Sequence, residues 1–120
     1  ARFLNAAGRI HDDRTAAYWR ELLALNLGEV WGRVEAPLLV VYPEADFLTV
    51  REGHERIAAV ARAAGNRDVR FETIAGMDHA FARAASFAES QARYGAPDRV
   101  LHPGFAELLV RWLRDRAENR

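Results

Sequence analysis

At 120 residues the chain fits one domain or part of one, and with half of its residues hydrophobic and a tenth aromatic it is not a disordered tail. Its seventeen basic residues, all Arg, balance seventeen acidic ones; a neutral chain with no basic cluster argues against nucleic acid as a partner. The lack of Cys excludes disulfides and thiolate metal sites, and no apolar run approaches the roughly 20 residues of a membrane span.

In chain order, residues 1–14 are mixed and polar and read as an irregular lead-in. Thr15 to Leu27 reads as a helix, with Tyr18, Leu22 and Leu25 at helical spacing and Gly28 placed to end it in a left-handed conformation. Trp31 and Val34 lead to Ala36-Pro37. Leu38 to Tyr42 is then a short unbroken apolar run, which predicts a strand of a parallel sheet with both faces covered. Pro37 and Pro43 bracket it, and a loop runs from Glu44 to Leu48. Thr49 and Glu52 have capping-box spacing, so a helix is expected to about Ala64, with Ile57, Val60, Ala61 and Ala64 on its buried stripe. Gly65-Asn66 should stop it. Val69 to Ile74 reads as a second strand, with Val69, Phe71 and Thr73 on one face. A strand–helix–strand unit of this kind implies parallel strands and a right-handed crossover.

Ala75 to Phe81 is a loop holding Gly76 and His79. The Ala-rich stretch from Ala80 to Tyr94 is expected to be helical, and Gly95 to His102 to be a linker. Pro103 suits the first turn of a last helix. In it Phe105, Leu108, Leu109, Trp112 and Leu113 form one apolar stripe, and Glu107, Arg111 and Asp115 a solvated ladder. The fold class is α/β, parallel strands with flanking helices. Two strands alone leave unpaired edges. More strands are expected from a missing N-terminal half or from a second copy of the chain.

Ligands of open α/β sheets bind at the carboxyl ends of the strands, and the two loops there carry Asp46 and His79. A carboxylate bonded to one imidazole nitrogen fixes the tautomer and stabilises the ring when the other nitrogen takes a proton. Glu44 and Asp78 are fallback acids, with Asp78 read as a solvated neighbour of His79. His11, His54 and His102 lack a comparable setting, and the four histidines have no zinc-binding spacing. No metal and no cofactor is implied.

The segment from Trp31 through Ala36-Pro37, the apolar strand and Pro43-Glu44-Ala45-Asp46 resembles the acid-bearing segment of α/β-hydrolases. Ala75-Gly76-Met77-Asp78-His79-Ala80-Phe81 resembles the histidine loop of that fold, and the closing helix with Trp112-Leu113 is similar to its last helix. The likeness covers residues 15 to 118, with residues 1–30 as lead-in and helix of a possible cap region and 31–120 as C-terminal strand–helix units of the core. It implies that Asp46 is the acid and His79 the base of a nucleophile–His–Asp hydrolase acting on a small-molecule ester, amide or peptide substrate. Family order puts the nucleophile upstream, and no G-x-S-x-G is present. Ser86 and Ser90, the only serines, both follow His79. Pro43 stands where the family usually has Gly, so the turn before Asp46 is expected to differ.

The chain is therefore expected to be the C-terminal portion of a hydrolase, nearly inactive alone. It begins with Ala and its single Met is Met77, which fits a fragment, a processed product or the second half of a gene. No targeting signal is visible, so the cytoplasm is the default compartment. Trp19, Phe81 and Phe87 are candidates to line an acyl pocket. A non-enzymatic self-associating or binding module derived from the same fold is the alternative, and a flavodoxin-like domain ranks third for want of a phosphate-binding loop.

Overall fold

The unbroken apolar run and its downstream partner do pair. In the computed structural model, which describes residues 9, 10 and 14–118, β3 (Leu38–Pro43) and β4 (Val69–Ile74) form a two-stranded parallel sheet. Leu38 stands opposite Val69, Val40 opposite Phe71 and Pro43 opposite Ile74. Side chains alternate along a strand. One face of the sheet therefore carries Leu38, Val40, Tyr42, Val69, Phe71 and Thr73. The opposite face carries Leu39, Val41, Pro43, Arg70, Glu72 and Ile74. The chain is thus a mixed α/β structure with helices flanking a parallel pair.

The crossover between the strands is α3 (Arg51–Ala63). Its first residue lies on the Tyr42 face: the Arg51 guanidinium sits 5.4 Å from the Phe71 ring centroid and 5.9 Å from that of Tyr42, and donates to Thr73 Oγ1 at 3.0 Å. Ala58 and Ala61 are its buried residues, whereas Ile57 and Val60 are only half-buried and Ala64 is exposed. The helix stops where Gly65-Asn66 predicts. Gly65 adopts φ 104°, its N–H donates to Arg62, and the Asn66 N–H donates back to Ala61, a Schellman closure. The Asn66 side chain then donates to the carbonyls of Val34 (2.7 Å) and Ala36 (2.9 Å), tying the entry of β3 to the end of α3.

Helix α5 (Pro103–Glu118) starts beside Ile74, where a methyl on Gly104 would lie 3.8 Å from Ile74 Cγ2. It ends beside the foot of β4, where Arg116 ion-pairs with Asp68. It therefore runs antiparallel to β4. Leu108 is its buried residue; Leu113, on the expected apolar stripe, remains 52% exposed.

Four local expectations need correction. Within the lead-in, β1 (Arg9–Ile10) and β2 (Arg14–Thr15) pair antiparallel; the rest of residues 1–14 lies outside the described residues. The helix expected over Thr15–Leu27 is two helices, α1 (Ala16–Ala24) and α2 (Leu27–Gly32). Leu25 turns extended between them (ψ 127°), and Gly28 lies inside α2 rather than ending α1. The cause is Asn26, whose Oδ1 accepts the Glu29 N–H (3.3 Å) while its Nδ2 donates to the Glu29 carboxylate (3.0 Å). This reciprocal box starts a new helix.

The third correction concerns Thr49, which does not cap α3. Val50 holds that position with no side-chain bond. The fourth is the Ala-rich stretch: only α4 (Phe87–Ala92) is helical, capped by Ser86. Residues 77–83 close a loop instead, with Met77 bridging Arg83 and Ala82 bridging Leu101.

Both faces of the sheet were expected to be covered, yet β4 is half-buried throughout, and in β3 only Val40 and Pro43 are buried. Among the described residues the buried apolar side chains are Val40, Pro43, Met77, Leu108 and five alanines. A core made so largely of Ala removes little apolar area from water. No described helix is long and apolar enough to cross a membrane.

Candidate functional site

The two strands end side by side, and their following loops are tied together before either presents a side chain. The Glu44 N–H donates to the Ile74 carbonyl (3.0 Å), and the Ala45 N–H to Met77 (2.9 Å). The Asp46 N–H closes a turn onto Pro43 (3.1 Å). Pro43 takes part through its carbonyl alone, so the missing N–H is no loss and Asp46 is still delivered to the sheet edge.

Asp46 is buried, with only 1% of its side chain exposed. Its Oδ1 accepts the backbone N–H groups of Leu48 (2.7 Å) and Thr49 (3.2 Å). Its Oδ2 accepts the Thr49 hydroxyl (2.5 Å) and meets His79 Nδ1 (2.9 Å). Burial, the largest single influence, pushes the carboxyl up. The Thr49 hydroxyl, His79 and the two backbone donors together outweigh it and hold Asp46 below the ordinary carboxylate value. An ionised carboxylate only accepts hydrogen bonds. Nδ1 of His79 must therefore carry the hydrogen, and in the neutral ring the lone pair lies on Nε2.

His79 is 45% exposed at the side chain, and Nε2 has no partner among the described residues. The ring sits at the tip of the loop over residues 77–83. That loop is built around Asp78, whose Oδ1 accepts the N–H groups of Ala80 and Ala82 at 3.0 Å each and whose Oδ2 pairs with Arg99. The Asp78 N–H donates to Ala82 at 2.9 Å. Gly76 (φ 68°) and Phe81 (φ 59°) turn the chain at either end, a conformation that is strained for Phe. Asp78 was expected to be a solvated neighbour of His79. It is instead 2% exposed, because it supplies acceptors that the loop backbone would otherwise lack.

The structure thus brings together Asp46 and His79, the two residues expected to act. It does not bring in the fallback acids: Glu44 is exposed and makes no bond to His79, and Asp78 is engaged with Arg99. His54 contacts the Val50 carbonyl (3.1 Å), and His102 Nδ1 accepts the Gly104 N–H (3.1 Å) at the start of α5; His11 lies outside the described residues. Ser86 Oγ accepts the Glu89 N–H (3.2 Å), and Ser90 is buried with Oγ unpartnered among the described residues; neither bonds His79. Nor do Trp19, Phe81 and Phe87 form one wall. Their ring partners are Tyr18, Phe105 and Phe47 in turn. The aromatic cluster beside Asp46 is Phe47 with Phe87 (6.1 Å) and Tyr94 (5.2 Å). No group of three or more His, Asp or Glu among the described residues is placed to hold a metal ion.

Thr49 is the residue that sequence reasoning misplaced. Its spacing to Glu52 suggested a cap, although Asp46 in a loop was itself a signal for an Asx turn, in which its carboxylate accepts the Leu48 N–H two residues on. Arg99 left no local signal at all, since it reaches Asp78 across 21 residues.

Such a pair can orient an imidazole, stabilise its protonated form and exchange a proton through an exposed nitrogen. Compared with protein families, with curated proteins and with solved structures, the chain matches none.

Proposed function

We propose that the chain is the C-terminal portion of an α/β-hydrolase-type enzyme that cleaves esters, amides or peptides through a nucleophile, with His79 as base and Asp46 as acid. One observation carries this reading. At the carboxyl edge of a parallel sheet, a buried ionised carboxylate holds Nδ1 of a half-exposed imidazole whose Nε2 has no partner among the described residues. In the reaction a hydroxyl held against Nε2 attacks the substrate carbonyl carbon. His79 takes the hydroxyl proton, and the carbonyl π electrons move onto oxygen. On collapse His79 returns the proton to the departing alcohol or amine. Water then repeats the sequence on the acyl intermediate. The nucleophile and the oxyanion donors come from chain outside this sequence, since neither serine here bonds His79.

Treatment with a fluorophosphonate followed by intact-mass measurement tests this. The chain alone is expected to remain unlabelled. The full-length protein that carries it is expected to gain one adduct, lost in His79→Gln. An adduct on Ser86 or Ser90 of the chain alone would overturn the reading, as would a full-length protein labelled equally well in His79→Gln.

A second reading, a self-associating module of the same fold, is favoured by one observation. Leu23 on α1, Leu25 between the helices, and Leu27 and Val30 on α2 are 81%, 52%, 54% and 49% exposed, and neither helix has a buried residue.

A further inference from the structure

We propose that Thr49 tunes the Asp46–His79 pair: by donating its hydroxyl to the carboxylate oxygen that holds His79, it weakens that oxygen as a partner of the protonated ring. The catalytic consequence rests on the function proposed above; the inference about the pair itself does not.

Four bonds to the Asp46 side chain divide evenly between its two oxygens. Two backbone donors, Leu48 and Thr49, both go to Oδ1 and already fix the carboxylate in its plane. The Thr49 hydroxyl goes to the other oxygen, Oδ2, the same atom that meets His79 Nδ1. A cap or a brace would not need that atom. A second donor on one carboxylate oxygen draws negative charge away from the first, so the two donors share a limited acceptor. The same hydroxyl is the largest of the influences that lower the Asp46 carboxyl. Thr49 therefore keeps Asp46 ionised and also reduces the extra attraction that the imidazolium feels. For a general base the result is useful. A carboxylate that held the imidazolium too strongly would leave less free base at neutral pH.

Other ionisable groups at this edge do not compete for the pair. Glu44 is exposed on the acid loop, and Asp78, within the His79 loop, is bonded to Arg99. His102, at the start of α5, accepts from Gly104. None of them bonds His79.

The test is a proton titration of the His79 ring, followed by NMR in the chain itself, in the wild type and in Thr49→Val, Thr49→Ser and Asp46→Asn. Thr49→Val should move the His79 midpoint upward by about half a pH unit, roughly a threefold gain in proton affinity. Thr49→Ser, which keeps the hydroxyl, should coincide with the wild type. Asp46→Asn should move the midpoint downward. A purely structural role for Thr49 predicts a different result, a downward move in Thr49→Val like that of Asp46→Asn. That outcome, or an unmoved midpoint, would overturn the proposal. Should Thr49→Val not fold, Thr49→Ala takes its place with the same expectation. A Ser variant that departs from the wild type by as much as the Val or Ala variant also overturns it. None of these readings depends on hydrolysis, so they stand apart from the fluorophosphonate result.

Discussion

Asp46 concentrates the chemistry of the chain in one side chain, and its surroundings make its charge a source of stability. Its carboxyl lies below the ordinary value when folded and returns to that value on unfolding. Between the two, the unfolded chain binds more protons, so stability rises with pH across that window. The contribution is complete above roughly pH 4, and is lost as pH falls through the folded value. Asp46→Asn should therefore flatten the pH dependence of urea unfolding midpoints below about pH 4. A wild-type slope that survives the substitution would assign the effect to other carboxylates. Asp78 is a different case. It is buried and paired, and removing one member of such a pair strands the other. Asp78→Ala should cost about 3 kcal/mol in chemical denaturation. Combined with Arg99→Met, the loss should be smaller than the sum of the two single losses.

At the scale of elements, the legible parts were those whose signal is local and uncontested. β3 announces itself by an unbroken apolar run, and α3 ends where Gly65 can adopt positive φ. β4 and α5 follow from alternation and from a helical stripe. The Asp46–His79 pairing was legible as well, because it needs only two loops at the same end of two adjacent parallel strands. What misled was side-chain capture of backbone donors. Asn26 took the Glu29 N–H and split one helix into two. Asp78 took the N–H groups of Ala80 and Ala82, so an Ala-rich stretch with good intrinsic propensity closed into a loop instead. Thr49 gave its hydroxyl to Asp46 rather than to α3. Gly65 offers a check on the legible side: Gly65→Ala should cost about 1 kcal/mol in thermal or urea unfolding, because its φ of 104° suits Gly alone.

For the whole molecule, size and surface point the same way. The radius of gyration is 17.0 Å, against about 14 Å for a compact domain of this length. Alanine dominates the buried set, while Leu23, Val50, Val100 and Leu101 are each more than 60% exposed. A two-stranded sheet with both outer edges unpaired among the described residues adds hydrogen-bonding groups to that apolar surface. The isolated chain should therefore associate as its concentration rises, measured by light scattering on a sizing column. Leu23→Glu combined with Leu25→Glu should shift it toward the monomer if α1 and α2 form the contact. A monomer at all concentrations, with or without those changes, would remove the case for a self-associating module.

The backbone bonds that lash the acid loop to the histidine loop carry a consequence for assembly. Asp46 and His79 lie within one strand–helix–strand unit, and the Glu44 and Ala45 N–H groups fasten their loops to each other. The entropy of aligning acid and base is thus lost once, when this unit folds, and not again when anything docks against it. Under the function proposed above, a late-arriving nucleophile has to find a single atom, Nε2, on a ring already fixed by Asp46. Under that function, such a unit is a transplantable cassette, formed before a nucleophile meets it.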